Sequence, residues 1–229
     1  MRQDNTAPAD RGVGPPDPRK DPGDHAGAQH PNWVTCAWPD DFSEVLEWQW
    51  TEKVLPYWTE QAGFADEQGV DIAFEMHPGF CVYNPETLLR LRGAAGPRIG
   101  ANFDPSHFFW QGIDPMEAIA TLGAEKAIFH FHAKDTYLDP RNVRVNGVLD
   151  TKSYADLGGR AWSFRTVGYG HGEDVWRAQF STLRTVGYDY VVSIEHEDAL
   201  MSIDEGLFKA VEFLKPLMIK DKPADMWWA

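Results

Sequence analysis

A chain of 229 residues, 43% of them hydrophobic, is long enough to bury a substantial core and is not a disordered protein. Its formal charge of -14, from 21 Lys and Arg against 35 Asp and Glu, works against nucleic acid or an anionic membrane surface as a partner. Two cysteines, Cys36 and Cys81, make no disulfide framework; with no secretory leader and no apolar run of membrane-spanning length, a cytoplasmic location is expected.

Residues 1–32 are rich in Pro, Gly, Asp and Ala with almost no large aliphatics, so they are expected to form a disordered or irregular tail. The composition changes at Trp33. Asp41 or Ser43 can cap a helix running from Glu44 towards Phe64 and Ala65, with Pro56 expected to kink or split it. Then the chain alternates between short apolar runs and amphipathic stretches. Strands are expected over Val70–Glu75, Ile99–Asp104, Ala127–His132 and Tyr190–Glu195. Helices are expected from Pro85, after Asp114, over Glu173–Val186 and over Ser202–Leu217. Residues 136 to about 166 show no clear periodicity and read as a long insertion. Four βα units in series imply a parallel sheet with helical crossovers, an α/β barrel or a doubly wound sheet.

All four expected strands end in residues able to bind a metal: Glu75-Met-His77, Asp104-Pro-Ser-His107, His130-Phe-His132-Ala-Lys134-Asp135 and Glu195-His-Glu-Asp198. In a parallel β/α fold these ends face one rim, so residues distant in sequence converge there. Singly each has a plain structural explanation, since a strand-terminal Asp or Ser also caps the next helix. Together they place three acids and a histidine in one pocket, a clash that a divalent cation resolves. Two Glu, one Asp and one His make an oxygen-rich donor set that suits Mn2+ or Mg2+, with Co2+ and Zn2+ as alternatives. His130 and His132 are two apart on a strand and face the same side, so spacing does not separate them. Gly168-Tyr-Gly170-His-Gly172 could hold an anion on its backbone N–H groups, but a plain connecting turn explains it better. Among the tryptophans, Trp38 and Trp110 are the candidates for a pocket wall.

These motifs, in this order and at this spacing, resemble the xylose isomerase-like sugar phosphate isomerase/epimerase family over about Pro22 to Leu217. The resemblance implies a metal-dependent (β/α)8 TIM barrel in which Glu75, Asp104, His132 and Glu195 bind the metal, the second histidine of His-x-His being the ligand. It also implies that Glu75 and Glu195 are the catalytic pair on opposite faces of a ketose, one removing the proton beside the carbonyl and the other returning it. His107, His77, Lys134 and Trp38 are the expected substrate contacts.

In the family the four ligands fall on the last four strands, yet only 74 residues precede Glu75. A full barrel takes about 250 residues, so an incomplete barrel of about four C-terminal βα units is expected, with residues 33–229 forming the C-terminal half. Its edge strands would favour self-pairing into a homo-oligomer. The expected partner is a small sugar or sugar phosphate, not nucleic acid or membrane. Two other readings compete: an endonuclease IV-like metal-dependent phosphodiesterase, which the acidic balance disfavours, and an inactive truncated remnant.

Overall fold

The computed structural model describes residues 41–221; the expected tail, with Cys36 and Trp38, lies outside the described residues. Asp41–Gln49 form α1, Trp50–Val54 a single π-helical turn, and Leu55–Gln68 α2. Pro56 sits in the first turn of α2, where its missing N–H is no loss. The irregularity thus falls ahead of the proline, because a wider turn relieves the clash between its ring and the preceding turn of backbone. Trp50, Val54 and Trp58 all point inward from this segment. Gly69, in the left-handed conformation, ends it.

Four parallel strands follow among the described residues: β1 (Ile72–Glu75), β2 (Ile99–Phe103), β3 (Ile128–Ala133) and β6 (Val192–Ile194), paired in the order β1-β2-β3-β6. Their residues are largely buried or half-buried, as expected for strands covered on both faces. The crossover helices are α3 (Pro85–Ala95), α5 (Pro115–Ala124) and α7 (Glu173–Thr185), with α8 (Ile203–Leu214) after β6. Their starts are fixed locally: Asn84 and Thr87 form a reciprocal capping box, Asp114 accepts from Met116 and Glu117, and Ser202 accepts from Glu205. One apolar core joins sheet and helices. Trp58 packs edge-on to Phe74 at 4.5 Å, and Phe103 stacks on Phe131 at 5.5 Å. Among the described residues no helix is long and apolar enough to cross a membrane.

The stretch expected to be a long insertion, for want of clear periodicity, contains regular elements. β4 (Asp135–Leu138) pairs antiparallel with β5 (Trp162–Arg165), and α6 (Pro140–Asn146) lies in the connection. Each strand is four residues long, too short for alternation to register in the sequence. A second small core forms here, where Trp110 stacks on Trp162 at 4.5 Å beside Ala161 and Phe164. Trp110 is therefore a packing residue and not a pocket wall.

Asp150 pins this segment. It accepts from the backbone N–H groups of Lys152 (3.0 Å) and Ala161 (2.6 Å) and from the Lys152 ammonium (3.0 Å). Burial pushes its carboxyl up, but those donors outweigh it and hold the group at about 2. A carboxyl depressed in the fold contributes stability that is full above its ordinary value near 4 and is lost as pH falls through 2. The drop in urea midpoint between pH 5 and pH 3 is therefore expected to be smaller in Asp150→Asn than in the parent chain. Equal drops would show that Asp150 is not an acid-labile tie.

Two further details set the rim. Asp135, fully buried, takes the backbone N–H groups of Gly168 (3.0 Å), Gly170 (3.1 Å) and His171 (2.9 Å) on Oδ2, and Thr136 N and His171 Nδ1 on Oδ1. The glycine-rich loop is thus an anion nest whose anion is a side chain of the same protein. Gly206 in α8 lies against His196, and a β-carbon there would overlap the imidazole ring.

Candidate active site

The parallel strands deliver their final residues to one rim. Glu75 is the last residue of β1, Asp104 follows β2, His132 is next to last in β3, and Glu195 follows β6. Glu75, His132 and Glu195 offer ligand atoms within 4.8 Å of one another, and Glu75, Asp104 and His107 do the same, so the two groups meet at Glu75. His132 Nδ1 lies 2.9 Å from Glu195 Oε2 and 3.8 Å from Glu75 Oε2. His130, the other histidine of the pair, turns to Ser193, with Nε2 2.7 Å from Oγ.

His107 is buried at the strand-to-helix turn Ser106–Phe109, the short α4. Its Nε2 lies 2.8 Å from Glu75 Oε1 and 3.4 Å from Asp104 Oδ2, so it is not a surface residue but part of the carboxylate cluster. His77 packs its ring on His107 at 4.3 Å and its Nδ1 lies 2.6 Å from the Pro78 carbonyl. Asn102 holds its amide 3.3 Å from both ring nitrogens of His132.

Lys134 is 2% exposed. Its ammonium lies 2.6 Å from Glu197 Oε2, 2.9 Å from Glu195 Oε1 and 3.8 Å from Asp104 Oδ2, over the Phe164 ring at 4.3 Å. A solvated lysine is excluded by that burial. Trp38 lies outside the described residues.

The electrostatics follow from these contacts. The approach of His132, then of Lys134, outweighs burial and holds the Glu195 carboxyl down at about 2. Burial raises the Glu75 carboxyl, but its bond to His107 more than offsets this and leaves it below the ordinary range. Asp104 goes the other way: burial dominates and pushes its carboxyl up. Burial lowers the Lys134 ammonium, yet Asp104, Glu197 and Glu195 together raise it, so it stays charged. Two carboxylates kept ionised near the opening, over a third that is buried, form an arrangement able to exchange protons with a bound molecule.

A model of the xylose isomerase-like TIM barrel family matches residues 24–217. The chain belongs to this family. Its parallel sheet with crossover helices is part of that barrel. Uncharacterized protein YfiH of Bacillus subtilis is 43% identical over 188 residues, covering 81% of this chain and 59% of the relative. Rhizopine catabolism protein MocC of Rhizobium meliloti is 37% identical over 83 residues, or 36% of this chain and 25% of the relative. The crystal structure of protein SMc04130 from Sinorhizobium meliloti 1021 shares the fold with a TM-score of 0.55 at 20% identity, over 76% of this chain and 59% of that one. This xylose isomerase-like chain therefore spans about three fifths of the YfiH relative.

Within this xylose isomerase-like chain, three residues at the rim carried no role in the sequence reading. Glu197 is the nearest carboxylate to Lys134; its place two residues beyond Glu195 was the available signal. Asn102 stands two residues before the motif Asp104-Pro-Ser-His107. Phe164, which floors Lys134 and meets His107 edge-on at 5.5 Å, had no signal because its strand was hidden.

Proposed function

We propose that the rim is the acid/base centre of a metal-dependent sugar or sugar-phosphate isomerase or epimerase. The observation that carries this reading is the pair Glu75 and Glu195, which reach the same imidazole from strands at opposite ends of the sheet. Both are half-exposed and depressed, hence ionised at neutral pH, as a proton-accepting group must be.

The donor set fits a divalent cation. Asp104 Oδ2 is buried with no hydrogen-bond partner, and His107 Nε2 and the Lys134 ammonium stand off at 3.4 and 3.8 Å. A buried carboxylate oxygen left so is costly unless a cation meets it. Glu75, Asp104, His132 and Glu195 would hold the ion, and a set of three carboxylates and one imidazole suits Mn2+ or Mg2+, with Co2+ or Zn2+ as alternatives. When bound, such an ion polarises the carbonyl and hydroxyl oxygens of the substrate and stabilises the charge of an enediolate.

The chain's own residues do the proton work. One of Glu75 and Glu195 takes the proton from the carbon beside the carbonyl, and the other returns one from the opposite face. His107 orients the Glu75 carboxylate through Oε1, and Lys134 orients Glu195 through Oε1. Each glutamate thereby keeps its second oxygen turned towards His132. Phe164 excludes water from beneath Lys134.

The test is solvent exchange. The chain, supplied in turn with Mn2+, Mg2+, Co2+ and Zn2+ in D2O, is expected to place deuterium beside the carbonyl of at least one ketose or ketose phosphate, read by proton NMR. No incorporation across the panel overturns the reading. Hydrolysis of bis(p-nitrophenyl) phosphate in its place would favour a phosphodiesterase.

A further inference from the structure

Beside the rim lies a cleft of about 460 Å3, in the range of small-molecule pockets, between the β5 side of the insertion and the loop that joins β6 to α8. Tyr154, Leu157, Phe164, Met201 and Ile203 give it mostly apolar walls, and Glu197 stands among them. It is continuous with the acid/base centre. Phe164 is a wall of the cleft and also the floor under Lys134, and the Lys134 ammonium bridges Glu195 of the centre to Glu197 of the cleft.

We propose that this cleft holds the part of the substrate remote from the carbonyl, and that it accepts a neutral polyhydroxylated chain or ring and rejects a phosphate ester. The inference rests on the function proposed above and narrows its substrate class.

Two properties of the cleft carry it. The first is surface chemistry: the C–H face of a polyol can lie against the apolar walls that Tyr154, Leu157, Met201 and Ile203 provide, while its hydroxyls donate to Glu197 and meet Ser163. The second is charge. Among the described residues, the lysine and the arginines adjoining the cleft are already engaged, and His196 in its wall has Nε2 3.3 Å from the Met201 carbonyl. Lys134 is held by Glu197 and Glu195. Arg165 bonds Asp198 at 3.0 Å. Arg160 lies 4.2 Å from the Tyr154 ring and donates to the Trp162 carbonyl at 3.0 Å. A phosphate would therefore sit beside the carboxylates of Glu197 and Asp198 with no free lysine or arginine to meet it. α8 does start at the cleft, and a helix N-terminus favours anions. Its first turn, however, carries Asp204 and Glu205, and Ser202 already accepts the Glu205 N–H.

The probes are D-fructose, D-tagatose, their 6-phosphates and dihydroxyacetone, with the Mn2+-supplemented chain. Binding is measured by calorimetry, and proton exchange by NMR in D2O. The neutral ketohexoses are expected to bind at least about tenfold more tightly than their phosphates. Leu157→Trp, which fills the cleft, is expected to weaken ketohexose binding about tenfold, and Tyr154→Ala, at an exposed position, about fivefold. Exchange on dihydroxyacetone, too short to reach the cleft, stays as in the parent. Glu197→Lys is expected to close the gap between ketose and phosphate.

Phosphates that bind as tightly as the free sugars, or ketohexose binding unmoved in both cleft variants, overturn the inference while dihydroxyacetone exchange leaves the acid/base reading standing. Binding with the expected preference but no exchange on any probe removes the acid/base reading and keeps the cleft. Failure of every neutral ketose to bind removes the cleft assignment outright.

Discussion

Glu195→Gln is expected to lower the rate of proton exchange beside the carbonyl by about a thousandfold, within the range general-base groups supply, while leaving the fold intact. Gln has the same shape, so its carbonyl oxygen can still take the Lys134 ammonium and its amide can face His132. What it loses is the ability to accept a proton. Glu75→Gln should cause a loss of the same order, because removal and return of the proton are both required. The double variant should fall little further, since residues that act as a unit are not additive. Exchange within threefold of the parent in both single variants, with thermal unfolding unchanged, would mean that neither carboxylate moves the proton.

The second large effect concerns stability. Asp135→Ala is expected to cost about 3–5 kcal/mol, the usual penalty for breaking a buried ionic network. That amounts to roughly 10 °C in melting temperature for a domain of this size. Its carboxylate serves three backbone N–H groups of the glycine loop, Thr136 N and the His171 ring, with Trp176 Nε1 at 3.4 Å. Once it is gone, those donors have no partner inside the protein. Asp135→Asn should be milder, because one carbonyl oxygen can stay at the Oδ2 position and keep the loop. Calorimetric melting gives the magnitude, and faster hydrogen exchange at Gly168, Gly170 and His171 gives the location. A shift below about 2 °C for Asp135→Ala would show that the loop holds its shape without this anion.

The parallel sheet was legible because each strand is an apolar run followed by a polar end and a capped helix, with Asn84, Asp114 and Ser202 where the helices begin. Those signals are local, and a single sequence carries them. The convergence of Glu75, Asp104, His132 and Glu195 on one rim follows from strand direction alone. What was not legible depends on tertiary contact. The split of the first helix falls at Trp50, ahead of the proline that announced it. His130 and His132 share a spacing but not a neighbourhood, and only the approach of β6 gives Ser193 to one and Glu195 to the other. The burial of Lys134 and His107 depends on β5, whose four residues leave no pattern to read. The anion-binding capacity of the glycine loop was visible, but its partner, Asp135, comes from 33 residues earlier.

Gly206 gives the last helix a role that its sequence does not advertise. With no side chain there, α8 rests directly on the His196 ring, and His196 is flanked by Glu195 and Glu197. The helix thus fixes the place of the loop residue that stands between the two glutamates. Fraying that begins at α8 would release the loop that carries Glu195 while the inner strands were still whole, so the proton exchange proposed for Glu75 and Glu195 is expected to be lost before the chain melts.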